Sequence, residues 1–96
     1  IRASSPSFGA WLSLEVSAEK WNQILVPKGY AHGFLCLVPD TEVIYKVTER
    51  YSPDHDRSVR FDDPVLGIDW RFPAAELILS AKDRQAPLLA DAEVFR

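Results

Sequence analysis

An antiparallel all-β sandwich or barrel is the fold class this sequence predicts. Two observations predict it. Short apolar or alternating runs follow one another at close spacing, and proline or glycine marks the turns between them. The first run, AWLSLEVS (residues 10–17), sets Trp11, Leu12, Leu14 and Val16 among Ser13, Glu15 and Ser17, the period of a half-buried strand. NQILVP (residues 22–27) is a second short strand closed by its proline. A tight reversal follows at Lys28 and Gly29, with Pro27 expected at its first central position. GFLCLV (residues 33–38) is a third strand, ended by Pro39 and Asp40. TEVIYKVTERY (residues 41–51) is the longest, rich in β-branched and aromatic residues, with Val43, Tyr45 and Val47 on one face. An acidic stretch with Asp54, Asp56, Asp62, Asp63 and Asp69 then reads as an ordered loop, its charges solvated or paired within it. ELILS (residues 76–80) is a last short strand. Ser80, three residues before Asp83, resembles a helix-starting box that opens a short C-terminal helical segment limited by Pro87.

Composition bounds the partners. With 96 residues, 47% of them hydrophobic, the chain is one domain at most, residues 1–96, with enough apolar material for a core. A net charge of −3 gives no basic footprint, so nucleic acid is not an expected partner. Local cations can still hold a small anion. No stretch has the length of a membrane span, and no signal pattern opens the chain. The single cysteine, Cys36, permits no internal disulfide, reads as a small buried hydrophobe, and fits a reducing cytoplasm. The chain starts without methionine and contains none, so we expect the natural protein to extend further upstream.

Three places can carry chemistry. On a strand beginning near Ala31, His32 shares a face with Phe34 and Cys36. It is either a core histidine bonded to main chain or a group aimed into a cavity. Tyr45 is either a core tyrosine with its hydroxyl satisfied or a phenol that delivers a proton to a carbon. Lys82 and Asp83 are either a solvated pair at a helix start, or a cation for an anionic ligand beside a carboxylate that orients an imidazole.

The spacing Pro27-x-Gly29-x-x-His32 is similar to the second metal-binding motif of the cupin superfamily, in which the turn delivers a histidine into a small β-barrel. That motif ends in asparagine, where this chain has Cys36, and its metal needs further histidines from an earlier strand. His55 is the only other histidine and lies downstream, so a three-histidine site cannot be assembled from these residues. The resemblance therefore implies a barrel without metal.

Five ordered blocks extend the likeness. SSPSFG, VPKGYAHGF, VIYKVTERYSPDHDR, RFDDPVLGIDW and ILSAKDRQAPLL resemble the C-terminal part of dTDP-4-dehydrorhamnose 3,5-epimerases, from Ser4 to about Val94. The resemblance implies an antiparallel cupin-like jelly-roll barrel, incomplete here because its N-terminal strands are missing, in a homodimer with shared strands. It implies a dTDP-keto-sugar substrate, dTDP-4-dehydro-6-deoxy-D-glucose. It also implies inversion at C3 and C5 beside the C4 ketone, with no metal or organic cofactor. Tyr45 matches the acid that returns a proton from the opposite face, and Asp83 the aspartate partner of the base histidine. His32, Asp56 and Lys82 match substrate-contacting positions, with Asp56 standing where the family has glutamate. Tyr51 matches a wall of the pocket. The family's base histidine falls before SSPSFG and has no counterpart in this sequence, so the chain alone is expected to be inactive. The same reading depends on Tyr45 and Asp83 facing one shared hollow, with the Tyr45 ring turned away from solvent. A single-centre epimerase and a non-catalytic sugar-nucleotide-binding cupin are the alternatives.

Overall fold

The computed structural model describes residues 1–96. Its regular elements are few and short. One α-helical turn, α1, spans Ala81–Arg84, and 3-10 turns span Pro53–His55, Ala74–Glu76 and Leu89–Asp91. The one β-bridge is isolated and parallel, between Arg2 and Phe95. There the Ala3 N–H donates to the Phe95 carbonyl at 2.6 Å and the Phe95 N–H to the Ile1 carbonyl at 3.1 Å. No helix is long and apolar enough to cross a membrane.

The runs read as strands from the sequence carry no ladder. No main-chain hydrogen bond joins any one of residues 10–17, 22–27, 33–38 and 41–51 to another. The reason lies in burial. Only Ala86, Leu89 and Asp63 are buried, at 7%, 7% and 2% exposure. Leu12, Leu25, Ile44, Tyr45, Val47 and Ile78 stand in water instead. A sheet is stabilised by a face packed against a second layer, and an isolated two-stranded hairpin is marginal in water. Without that layer the strand sequences have nothing to pair over. The radius of gyration of 14.3 Å is accordingly larger than the about 12–13 Å of a close-packed domain of this length. Cys36, expected inside a strand core, is exposed for the same reason.

The turns between those runs are formed. Ser17 and Asn22 close the first: the Ser17 N–H donates to Asn22 Oδ1 at 3.0 Å, and Asn22 Nδ2 donates to the Glu15 carbonyl at 2.8 Å. A side-chain amide thus takes the place of a main-chain ladder pair. At the second, the Tyr30 N–H meets the Pro27 carbonyl at 3.4 Å. Pro27 is therefore the first residue of the turn and not, as its type suggests, the first central one. Lys28 and Gly29 are central, and Gly29 has φ +96, the left-handed region that glycine enters without penalty. Thr41 Oγ1 donates to the Val38 carbonyl at 2.7 Å, with Asp40 at φ 58, so Pro39 and Asp40 do end their run.

The three buried residues lie where residues 60–70 meet residues 84–92. Here the Arg60 N–H donates to the Pro87 carbonyl at 2.8 Å. Asp63 accepts the Val65 N–H on Oδ1 at 2.8 Å and the Leu89 N–H on Oδ2 at 2.7 Å. Trp70 stands edge-on to Phe61, ring centroids 6.3 Å apart, and its Nε1–H donates to the Phe61 carbonyl at 2.8 Å. These ties hold α1 from its C-terminal side.

Candidate functional site

α1 begins where the sequence places it. Ser80 is its N-cap in extended conformation, and its Oγ accepts the Asp83 N–H at 3.2 Å. That bond satisfies one of the donors a helix start leaves free. Gln85 closes the turn, and Pro87 supplies no N–H to continue it. The helix carries Lys82 outward toward the 3-10 turn Pro53–His55, which Pro53 favours through its fixed φ. Ser52 Oγ and His55 Nδ1 lie 2.8 Å apart across that turn. Asp56 follows it as the C-cap.

Two groups from distant parts of the chain meet one oxygen of Asp56. Tyr51 donates its hydroxyl to Oδ2 at 3.0 Å, and Lys82 Nζ donates to the same atom at 2.7 Å. Lys82 lowers the Asp56 pKa through its hydrogen bond, aided by the Tyr51 hydroxyl. The bond to Asp56 raises the pKa of Tyr51, and likewise that of Lys82. The three shifts agree in sign with one charge-assisted cluster. It lies at the surface, the Lys82 side chain 55% exposed, so salt screens it.

Beside this cluster lies an open cleft of about 510 Å³. Asp56, Arg57, Ser58, Lys82 and Gln85 line one part of it. Arg57 donates from Nη1 to the carbonyls of Asp54 at 2.9 Å and Asp56 at 3.0 Å, and its Nε pairs with Glu93. Asp91 and Glu93 line it too, so the hollow holds three carboxylates against two cations, Lys82 and Arg57, each already paired with a carboxylate. Such a lining suits a polar ligand. No group of three His, Cys, Asp or Glu side chains converges as metal ligands do.

Of the six residues singled out from the sequence, Tyr51, Asp56 and Lys82 are brought together. Tyr45, His32 and Asp83 are not. Tyr45 is 75% exposed and makes no hydrogen bond, on a run that no second layer covers. His32 and the Asp83 carboxylate are likewise exposed, and neither they nor Tyr45 line the cleft at Asp56. The shared hollow expected for Tyr45 and Asp83 is therefore not formed in this chain. Sequence reasoning missed two residues. Arg57 had no signal beyond its place in the charged loop. Asp63 had one: an aspartate before proline favours a turn in which its carboxylate accepts the N–H two residues on.

The pH behaviour of the cluster follows from these signs. The Asp56 pKa is depressed in the fold, so its contribution is full above the ordinary carboxylate value and fades as pH falls through the lowered one. We expect the carboxyl carbon resonance of Asp56 to titrate below the usual carboxylate range. Lys82→Met should return it toward that range, and an unchanged midpoint would remove Lys82 as the cause.

Comparison with known proteins gives the cleft a context. The family profile of dTDP-4-dehydrorhamnose 3,5-epimerase matches residues 1–91. An enzyme of that name from Sinorhizobium fredii is 45% identical over 94 residues, covering 98% of this chain and 48% of the relative. Another from Pseudomonas aeruginosa is 44% identical over 95 residues, covering 99% and 52%. A third from Salmonella typhimurium is 45% identical over 92 residues, covering 96% and 50%. No solved structure matches the chain. The chain is thus similar throughout to sugar-nucleotide isomerases. The chain belongs to the dTDP-4-dehydrorhamnose 3,5-epimerase family, and it spans about half the length of these curated relatives.

Proposed function

We propose that the complete protein containing this chain epimerises dTDP-4-dehydro-6-deoxy-D-glucose at C3 and C5, giving dTDP-4-dehydro-L-rhamnose. The observation that carries this reading is the family match over residues 1–91, a span that holds all six site residues. The chemistry is coherent with their types. Both carbons flank the C4 ketone, so each can lose its proton to give an enolate. Inversion then needs a base on one face and an acid on the other. Tyr45 is the acid in this reading. Asp83 braces a base histidine that lies in the half of the relatives this chain does not span, fixing its tautomer and raising its basicity. Lys82, Asp56, Tyr51 and His32 hold the sugar nucleotide, with Lys82 toward its anionic part. Tyr51 and Lys82 already meet at Asp56, which supports a common binding role.

The fold proposed for the complete protein is a cupin-like jelly roll in a homodimer. The uncovered apolar side chains of residues 11–51 support it, since they are what two packed sheets would bury. A cytoplasmic setting belongs to the same reading.

Incubation with the keto-sugar in deuterated water tests the function. The complete protein is expected to place deuterium at both C3 and C5. Exchange at one centre only would make it a single-centre epimerase. Binding without exchange would make it a non-catalytic sugar-nucleotide-binding protein. The 96-residue chain alone is expected to exchange neither proton.

A further inference from the structure

We infer that Asp63 is a positioning residue for the helical turn that carries Lys82 and Asp83, acting through the main chain just beyond that turn. The inference rests on the function proposed above. Asp63 is the one buried charged residue of the chain, 2% exposed, and no step of the proposed reaction uses it. Its two carboxylate oxygens serve different segments. Oδ1 accepts the Val65 N–H at 2.8 Å and shapes the local turn before Pro64. Oδ2 accepts the Leu89 N–H at 2.7 Å, across a sequence separation of 26 residues. The Arg60 N–H holds the Pro87 carbonyl at 2.8 Å beside it. Residues 87–89 are therefore clamped to residues 60–63, and α1 ends only a few residues before the clamp.

The other tie on α1 is the Lys82–Asp56 pair, which is exposed. Exposed ion pairs contribute little to holding a geometry, whereas a buried carboxylate accepting main-chain N–H groups is costly to disturb. The position of α1 is thus set chiefly from the Asp63 side. A small displacement of a group that braces a base costs rate steeply.

Two substitutions separate the clamp from the local turn. In Asp63→Asn, the amide oxygen can still accept from Val65, but the amide nitrogen cannot accept from Leu89. In Asp63→Ser, the hydroxyl mimics the turn more weakly and is too short to reach Leu89. In the complete protein, we expect Asp63→Asn to fold and to lower kcat by about tenfold or more. The decisive comparison is with Asp83→Asn. Once the brace is gone, misplacing it has no further effect, so Asp63→Asn should cost less than about twofold in that background. Equal losses in both backgrounds would mark a general structural role and overturn the inference. Unchanged kcat in a folded Asp63→Asn protein would also overturn it, as would failure of both Asp63 variants to fold. If the unsubstituted protein moves no proton at C3 or C5, it is the functional reading that fails instead.

Discussion

Replacing Tyr45 with phenylalanine in the complete protein is expected to cut full inversion by about a hundredfold or more, while substrate affinity changes little. Phenylalanine keeps the ring and removes only the O–H. A positioned acid contributes on the order of 10²- to 10⁴-fold to a proton transfer, so its loss falls on turnover. The phenol suits the task because an enolate carbon is far more basic than a carboxylate. Deuterium exchange separates the two halves of the reaction. Removal of the substrate proton uses the base and should survive in part, whereas delivery from the opposite face should not. A Tyr45→Phe protein that inverts both centres at the parent rate would remove Tyr45 from the chemistry. Weakened binding with unchanged turnover would make it a wall of the pocket.

The second large effect falls on binding. Lys82→Met is expected to raise KM by about tenfold, with a smaller effect on kcat. The substitution does more than delete a cation. In the structure Lys82 Nζ sits 2.7 Å from Asp56 Oδ2, so its removal leaves that carboxylate facing an anionic ligand. Loss of one attraction and gain of one repulsion act in the same direction. Lys82→Arg restores the charge with a different shape and should fall between the two. Titration calorimetry with the nucleotide portion alone reads the binding loss apart from turnover. An unchanged KM would assign Lys82 to the Asp56 pair and not to the ligand.

What the sequence made legible was mainly local. Ser80 three residues before Asp83 specified the start of α1, because a cap needs only one side chain and one nearby N–H. The reversals at Gly29 and Asp40 were equally readable, since positive φ depends on a few adjacent residues. The placement of Tyr45 and His32 was of another kind. Whether a strand residue faces a cavity depends on which other strands cover it, and that is a property of pairing at long range. In this chain the covering layer is absent, and both side chains stand in water. Tyr51 reaches Asp56 across one 3-10 turn, whereas Lys82 comes to it from 26 residues away, on a helical turn held by the Asp63 junction. Motif order identified Asp83 as a candidate, and its carboxylate stands exposed in the structure. Asp63 shows the reverse case: the Asp-Pro step announced a turn, but nothing in the local pattern announced that its second oxygen reaches Leu89.

The bridge between Arg2 and Phe95 bears on the order in which this 96-residue stretch assembles. Arg2 Nη1 donates to the Arg96 carbonyl across a separation of 94 positions, and the Arg2 guanidinium lies 5.6 Å from the Phe95 ring centroid. Bringing such remote groups together forfeits more chain entropy than any other contact here, and little apolar area is gained in return. This seam should therefore close last during folding and open first on warming, after the nearby turns and the Asp63 junction have already settled.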